Sequence, residues 1–351
     1  MWAKKLVDWF LINQRPMPWR ESKSDYNTLI SEFMAQQTQI STVIPYFNRW
    51  IKKFPDIETL ALATEDEVLK SWEGLGYYSR ARNLHKTAKK ISSEYNGIIP
   101  QNENELKEFP GIGPYIASAI ASIAFGEATA VVDGNVLRVI TRFFGIKDDI
   151  TKDQTKVKIK KRLDQIIKTV PPAEFNQGLM ELGALVCKPK NPDCEQCPIN
   201  SICYAKNMNE INSLPVKKKK APTPHYTIVI GIIYRQKDEK ILITKRKKDQ
   251  LLGGLWEFPG GKVKETESLE IALKREIKEE VNLNVNIQHF ICKVNHAYSH
   301  FKITMHAYKC IVKNPNNLSL NSADDYRWVT INEFNDYAFP KANKVIIQNL
   351  N

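Results

Sequence analysis

The sequence predicts two domains, an all-α domain followed by an α+β domain with a mixed sheet. Three observations lead there. In residues 1–125 apolar side chains recur at three and four spacing, as in Leu6, Trp9 and Phe10 and again in Leu29, Ile30, Phe33 and Met34, and helical patterning returns over 134–186. The stretch Asn212 to Pro224, NSLPVKKKKAPTP, holds four consecutive lysines and three prolines, a composition suited to an exposed tether. After it the pattern becomes strand-like: TIVIGIIYR and KILITKR are joined by the turn QKDE, and HFICKV, KITMHAYKCIV and DYRWVTI follow. Ser268 to Val281 reads as the one amphipathic helix of that half. The expected boundaries are 1–211 for the helical domain, 212–224 for the linker and 225–351 for the α+β domain.

Taken in order, MWAKKLVDWFL is an amphipathic helix. Asp8, two tryptophans and the lack of a small-residue cleavage site separate it from a signal peptide. Pro16, Pro18 and Trp19 in RPMPWR break it from the next helix. There Glu32 sits among Leu29, Ile30, Phe33 and Met34. A carboxylate on an apolar face is costly to bury unless paired or functional, whereas on a polar stripe it would face water. Trp72 to Leu84, WEGLGYYSRARNL, sets glycines beside aromatics and then arginines. That order suits a loop presenting a ring to a base stack, and equally a helix–helix loop with core tyrosines. FPGIG at Phe109 to Gly113 precedes a small-residue helix, whose free N–H groups offer a phosphate site. Twenty residues after Gly113 comes Asp133, inside VVDGN.

The net charge of +12 favours a polyanionic partner. No apolar run approaches the ~20 residues of a membrane span, and a cytosolic protein is expected. Of six cysteines, Cys187, Cys194, Cys197 and Cys203 lie within seventeen residues as C-x6-C-x2-C-x5-C. In a reducing compartment such a cluster points to a metal site, zinc or iron–sulfur. Cys292 and Cys310 fall in strand-like sequence and are expected to be buried thiols.

Together the first ~215 residues resemble the helix-hairpin-helix DNA glycosylase superfamily, and more narrowly the adenine DNA glycosylases of the MutY family. The resemblance runs through PWR at Pro18 to Arg20, SEFMAQQTQ at Ser31 to Gln39, GLGYYSRARNL at Gly74 to Leu84, FPGIG, VVDGNVLRV at Val131 to Val139, NQGLMELGALVC at Asn176 to Cys187 and the four-cysteine spacing. It implies two helical lobes, one from the middle of this domain and one joining the N-terminal helix to the segment after Asp133, with DNA and active site in the cleft. It also implies a [4Fe-4S] cluster on the four cysteines, folding a basic loop onto DNA. The expected partner is duplex DNA holding adenine opposite 8-oxoguanine or guanine, and the expected state is a monomer.

By the same resemblance Glu32 is the general acid that protonates adenine and can later help water attack, and Asp133 stabilises positive charge on the sugar as an anion or a transient nucleophile. Gln37 and Tyr77 match positions that fill or wedge the duplex, Gly111 and Gly113 those that meet the backbone, and Trp19, Arg20 and Gln177 those that line the adenine pocket. Relatives that also cut the strand carry a lysine eighteen residues before the aspartate; here that position is Tyr115. A phenol forms no imine, so the enzyme is expected to be monofunctional.

The second domain resembles a Nudix domain, which in this family checks for 8-oxoguanine. HAYSH at His296 to His300 matches its reader loop, with Ser299 toward the lesion and Tyr298 and His300 beside it. Gly261, Glu267, Arg275, Glu276, Glu279 and Glu280 nearly complete the Nudix box, with Asn282 in place of the closing glycine. Glu276, Glu279 and Glu280 share a helix face that could bind Mg²⁺ or be a solvated acidic stripe. Either an inherited scaffold or retained hydrolysis of an oxidised nucleotide is compatible with that pattern.

Overall fold

The structure is a computed structural model that describes residues 1–218, 222–298 and 300–350. The first part of the chain is helical. Its helices are α1 (Trp2–Asn13), α2 (Pro18–Glu21), α3 (Asp25–Ala35), α4 (Ile40–Lys53), α5 (Ile57–Leu62), α6 (Glu65–Trp72), α7 (Ser79–Glu94), α8 (Glu103–Leu106), α9 (Pro114–Phe125), α10 (Gly134–Phe144), α11 (Asp153–Ile166), α12 (Pro172–Leu185) and α13 (Tyr204–Asn207). The second part holds β1 (His225–Arg235), β2 (Ile241–Arg246), β3 (Trp256–Glu257), β4 (Gly260–Lys262), α14 (Leu269–Val281), β5 (Asn286–Ala297), β6 (Lys302–Val312), β7 (Ala323–Val329) and α15 (Lys341–Ile347). Among the described residues no helix is long and apolar enough to cross a membrane.

Local chemistry sets the helix ends. Ser24 caps α3 by accepting from the Asn27 N–H. Thr64 and Glu67 close a capping box on α6. Pro114 takes the first position of α9, where its missing N–H costs nothing. Gly126 and Gly145, both left-handed, end α9 and α10.

By backbone contacts the chain divides into two compact units, Met1–Leu62 with Asn83–Lys220, and Ala63–Arg82 with Ala221–Asn351. The first unit holds a core that joins distant sequence. Ala3, Leu6 and Val7 of α1 pack with Val136 and Ile140 of α10, Ile159 and Leu163 of α11, and Leu179 and Leu182 of α12. Gly178 makes the α1–α12 contact possible, since a Cβ there would lie 3.3 Å from Leu6 and Phe10.

The second unit is built on a seven-stranded mixed sheet of order β3-β2-β1-β6-β5, with β4 paired to β1 and β7 to β2. β1 and β6 run parallel over their whole length, from His225↔Lys302 to Arg235↔Val312. The centre of β1 is buried on both faces, and its side chains alternate between two cores. Val229 and Ile233 meet Leu273, Ile277 and Val281 of α14; Ile230 and Ile232 lie in the core that contains Ala342 and Ile346 of α15. The α6 segment belongs to this unit through ion pairs that include Lys245–Asp66 at 2.6 Å and Lys344–Glu73 at 2.8 Å. Cys310 is fully buried, whereas Cys292 is only half-buried, because β5 is an edge strand.

Candidate active site

Helix α3 has no polar stripe. Every residue from Tyr26 to Met34 is buried, so Glu32 lies inside with 9% of its surface exposed. It reaches the wall of a pocket of about 670 Å³ whose lining also includes Trp19 and Arg20 of α2, Tyr115 of α9, Asp133, and Gln177 and Glu181 of α12. The Tyr115 hydroxyl donates to Glu32 Oε2 at 3.0 Å. Burial pushes the Glu32 pKa up to about 7; nearby Asp133 adds to the rise, while the Tyr115 hydrogen bond and Arg20 oppose it. The Tyr115 phenol is itself pushed well above its ordinary value by burial and by the two carboxyls.

Asp133 is the N-cap of α10. Its Oδ1 accepts from the Val136 N–H at 2.6 Å and its Oδ2 from Asn135 Nδ2 at 2.9 Å. Burial raises its pKa, and these hydrogen bonds together with Arg138 hold the rise back. The start of a helix favours negative charge at this spot.

Opposite lies a linked polar wall. Arg20 Nε donates to Gln177 Oε1 at 2.9 Å, and Arg20 Nη2 lies 3.3 Å from Glu181 Oε2. Arg15 Nε pairs with Glu181 Oε1 at 2.7 Å. Trp19 packs edge-on against Phe47, 5.1 Å between ring centroids. Glu181 and Arg15 are participants that sequence reading missed. Glu181 sits inside the NQGLMELGALVC motif, and an acidic residue flanked by Leu179, Met180 and Leu182 was the available signal.

A neighbouring groove in the same unit is lined by Gln37, Gly111, Gly113, Arg138, Lys190 and Lys217. Gln37 has φ of 53°, left-handed for a non-glycine residue. The two hairpin glycines differ. Gly111 has φ of 78°, and a Cβ there would strike Asn83 at 2.6 Å; Gly113 has ordinary φ, and a Cβ there would meet open space. The fold thus needs glycine at 111 but not at 113. Tyr77, in the other unit, also has positive φ, 49°, and the Arg80 guanidinium lies 5.3 Å from its ring centroid.

The four cysteines of the 187–203 loop surround one small cavity walled by Val139, Phe143, Leu182, Val186 and Ile199. Arg142 Nη1 donates to Cys187 Sγ at 3.5 Å. Among the described residues no three Cys, His, Asp or Glu side chains converge on a single ion. Four soft donors spread round an apolar hollow, one receiving a cationic hydrogen bond, fit an iron–sulfur cluster better than one tetrahedral zinc.

In the second unit the carboxylates of the Nudix-like box are tied up. Arg275 pairs with Glu267 at 2.5 Å, Glu276 at 2.8 Å and Glu279 at 3.1 Å. Glu280 accepts from the Gly260 N–H at 2.9 Å, and burial pushes its pKa up to about 8. Glu257, which sequence reading did not single out, pairs with Arg246 at 2.6 Å. A Cβ at Gly261 would collide with the Glu276 carboxyl. Asn282 closes α14 with φ of 53°. At the β5–β6 hairpin the Tyr298 ring packs on His296 and Phe301, at 4.6 and 4.8 Å between centroids, and burial raises its pKa to about 12. His300 is exposed; Ser299 lies outside the described residues.

Comparison with known proteins accounts for this combination. Residues 30–165 match the HhH-GPD superfamily of base excision DNA repair proteins, 187–203 match the iron-sulfur binding domain of endonuclease III, and 229–349 match the NUDIX domain. A solved thermostable thymine-DNA glycosylase superposes with a TM-score of 0.51 at 28% identity, over 59% of this chain and 95% of its own. The helical part is therefore a DNA glycosylase of the helix-hairpin-helix class, and the chain carries a [4Fe-4S] cluster. The adenine DNA glycosylase of Rattus norvegicus is 32% identical over 98% of this chain and 77% of its own length. That of Buchnera aphidicola subsp. Schizaphis graminum is 33% identical over 99% and 98%. The chain belongs to the adenine DNA glycosylase family and serves base excision repair.

Proposed function

We propose that this chain is a monofunctional glycosylase that hydrolyses the N-glycosidic bond of adenine paired with 8-oxoguanine or guanine. The observation that carries the reading is Glu32, a pocket carboxyl with a pKa of about 7 bonded to a neutral hydroxyl. Such a group holds a transferable proton near neutral pH. Adenine swung out of the stack enters the pocket between Trp19, Arg20 and Gln177 and takes that proton. The C1′–N9 bond breaks with its electrons leaving on adenine, positive charge grows on the sugar where Asp133 opposes it as an anion, and a water adds to C1′ and gives up a proton to complete the hydrolysis. Tyr115 holds the acid in place and offers no amine, so the strand stays intact until a later enzyme acts.

In this reading Gln37 and Tyr77 fill or wedge the duplex, and the N–H groups at the head of α9, reached over Gly111 and Gly113, grip a phosphate. The open space at Gly113 supports that role, because the fold has no use for a glycine there. Cys187, Cys194, Cys197 and Cys203 ligate the cluster and fold a basic loop toward DNA. Residues 1–211 carry excision, and 225–351, after the 212–224 tether, check the opposite base through Tyr298, Ser299 and His300. The chain acts as a monomer.

The test is single-turnover base release from a duplex with one adenine opposite 8-oxoguanine, beside an A·T control, with the strand examined before and after hot alkali. Cleavage only after alkali, and only in the lesion duplex, is expected. Cleavage without alkali would overturn the monofunctional reading, and equal release from A·T would overturn the specificity.

A further inference from the structure

We propose that Glu181 is a positioning residue of the base pocket: by holding Arg15 and Arg20 together it fixes the amide of Gln177 toward the base and shields Glu32 from the Arg20 charge. This rests on the reading of Glu32 as the acid. The Glu181 side chain is 2% exposed. It accepts from Arg15 Nε at 2.7 Å, from Arg15 Nη2 at 3.2 Å and from the Arg15 backbone N–H at 3.0 Å, besides its contact to Arg20. One buried carboxylate thus orients two guanidiniums, and Arg20 Nη1 is further held by the Arg15 carbonyl at 2.9 Å.

Two consequences follow from donor and acceptor chemistry. A guanidinium only donates, so Gln177 must turn its oxygen to Arg20. Its NH₂ then faces away, with one N–H on the Ala173 carbonyl at 3.3 Å and the other available to a ring nitrogen of a purine. The second consequence is electrostatic. Facing Glu32 are Tyr115 from α9, Asp133 at the head of α10 and Arg20 from α2, with Arg15, Lys23, Asp25, Glu174 and Glu181 also on the pocket lining. Of these, Arg20 favours the anion of Glu32 and so works against an acid. Glu181, bonded to that guanidinium, offsets its field.

The experiment measures single-turnover adenine release against pH in the full, cluster-loaded chain, with duplex affinity measured alongside. Glu181→Gln is expected to slow release about 10- to 100-fold with duplex affinity unchanged. It should also move the high-pH limb of the profile down by about one pH unit. Glu181→Asp, which keeps the charge, is expected to restore the limb. A uniform loss with no movement of the limb, or an unchanged rate, would overturn the proposal. Should Glu181→Gln not fold, Arg15→Gln decides, since Arg15 is partly exposed. Removing that charge leaves Glu181 wholly to Arg20, so the limb should rise; an unmoved limb overturns the proposal. A wild-type chain that releases no adenine at any pH would instead overturn the underlying reading of Glu32.

Discussion

In the helical unit Glu32 and Asp133 line an open pocket, and the partner of Glu32 is a neutral phenol. In the sheet unit Glu257, Glu276 and Glu279 are each held by an arginine, and Glu280 by a backbone N–H. Burial lifts the pKa of Glu32 to about 7 and of Glu280 to about 8. A raised pKa therefore does not by itself mark an acid catalyst. What separates the two groups is the company each carboxyl keeps. Glu257, Glu276 and Glu279 are committed to arginine ion pairs, and Glu280, whose partner is a neutral backbone N–H, lies beside two of them, whereas Glu32 with its neutral phenol lines an open pocket that a base can enter.

The comparison breaks most readily at Glu32. Glu32→Gln is expected to lower base release by about 10²- to 10⁴-fold with duplex affinity retained; a rate near wild type would remove Glu32 as the acid. Asp133→Asn should cost about 10²- to 10³-fold. Asparagine keeps the cap on the Val136 N–H but sets an NH₂ against the Asn135 donor, so the thermal unfolding temperature of this variant should fall only modestly, and a large drop in Tm would assign Asp133 a structural part instead. The wild-type profile sharpens the contrast. The acid form is required and its folded pKa is about 7, so release should fall about tenfold per pH unit above that value; a flat profile to pH 9 would contradict it. The smallest effect is expected in the sheet unit. The full chain with Mg²⁺ and an oxidised deoxynucleoside triphosphate should release no pyrophosphate, because the metal would have to displace Arg275. Turnover there would erase the distinction drawn between the two groups.

The burial of Glu32 was not legible from periodicity. The fragment DYNTLISEFMA allows a polar face, yet α3 is enclosed on all sides, and only the motif resemblance pointed to a functional carboxyl. The α+β pattern was legible because β1, β2, β5, β6 and β7 fall on the apolar runs of TIVIGIIYR, KILITKR, HFICKV, KITMHAYKCIV and DYRWVTI, and Ser268 announces the start of α14. The attachment of α6 to the sheet unit had no sequence signal. It rests in part on surface ion pairs such as Lys245–Asp66, and such pairs join residues that neither periodicity nor motif spacing relates. Glu181 was missed for a similar reason: its guanidinium partners lie more than 150 residues away.

Gln37 carries a last consequence. Its left-handed backbone costs roughly 1–2 kcal/mol relative to glycine, and the fold supplies that energy from elsewhere. A chain selected for thermal endurance alone would be expected to trade this glutamine for glycine, gaining robustness and losing the side chain proposed above to enter the duplex. On that reading, the glutamine at this unfavourable dihedral sets grip on DNA against resistance to heat, and the Tm gained by Gln37→Gly measures the stability given up.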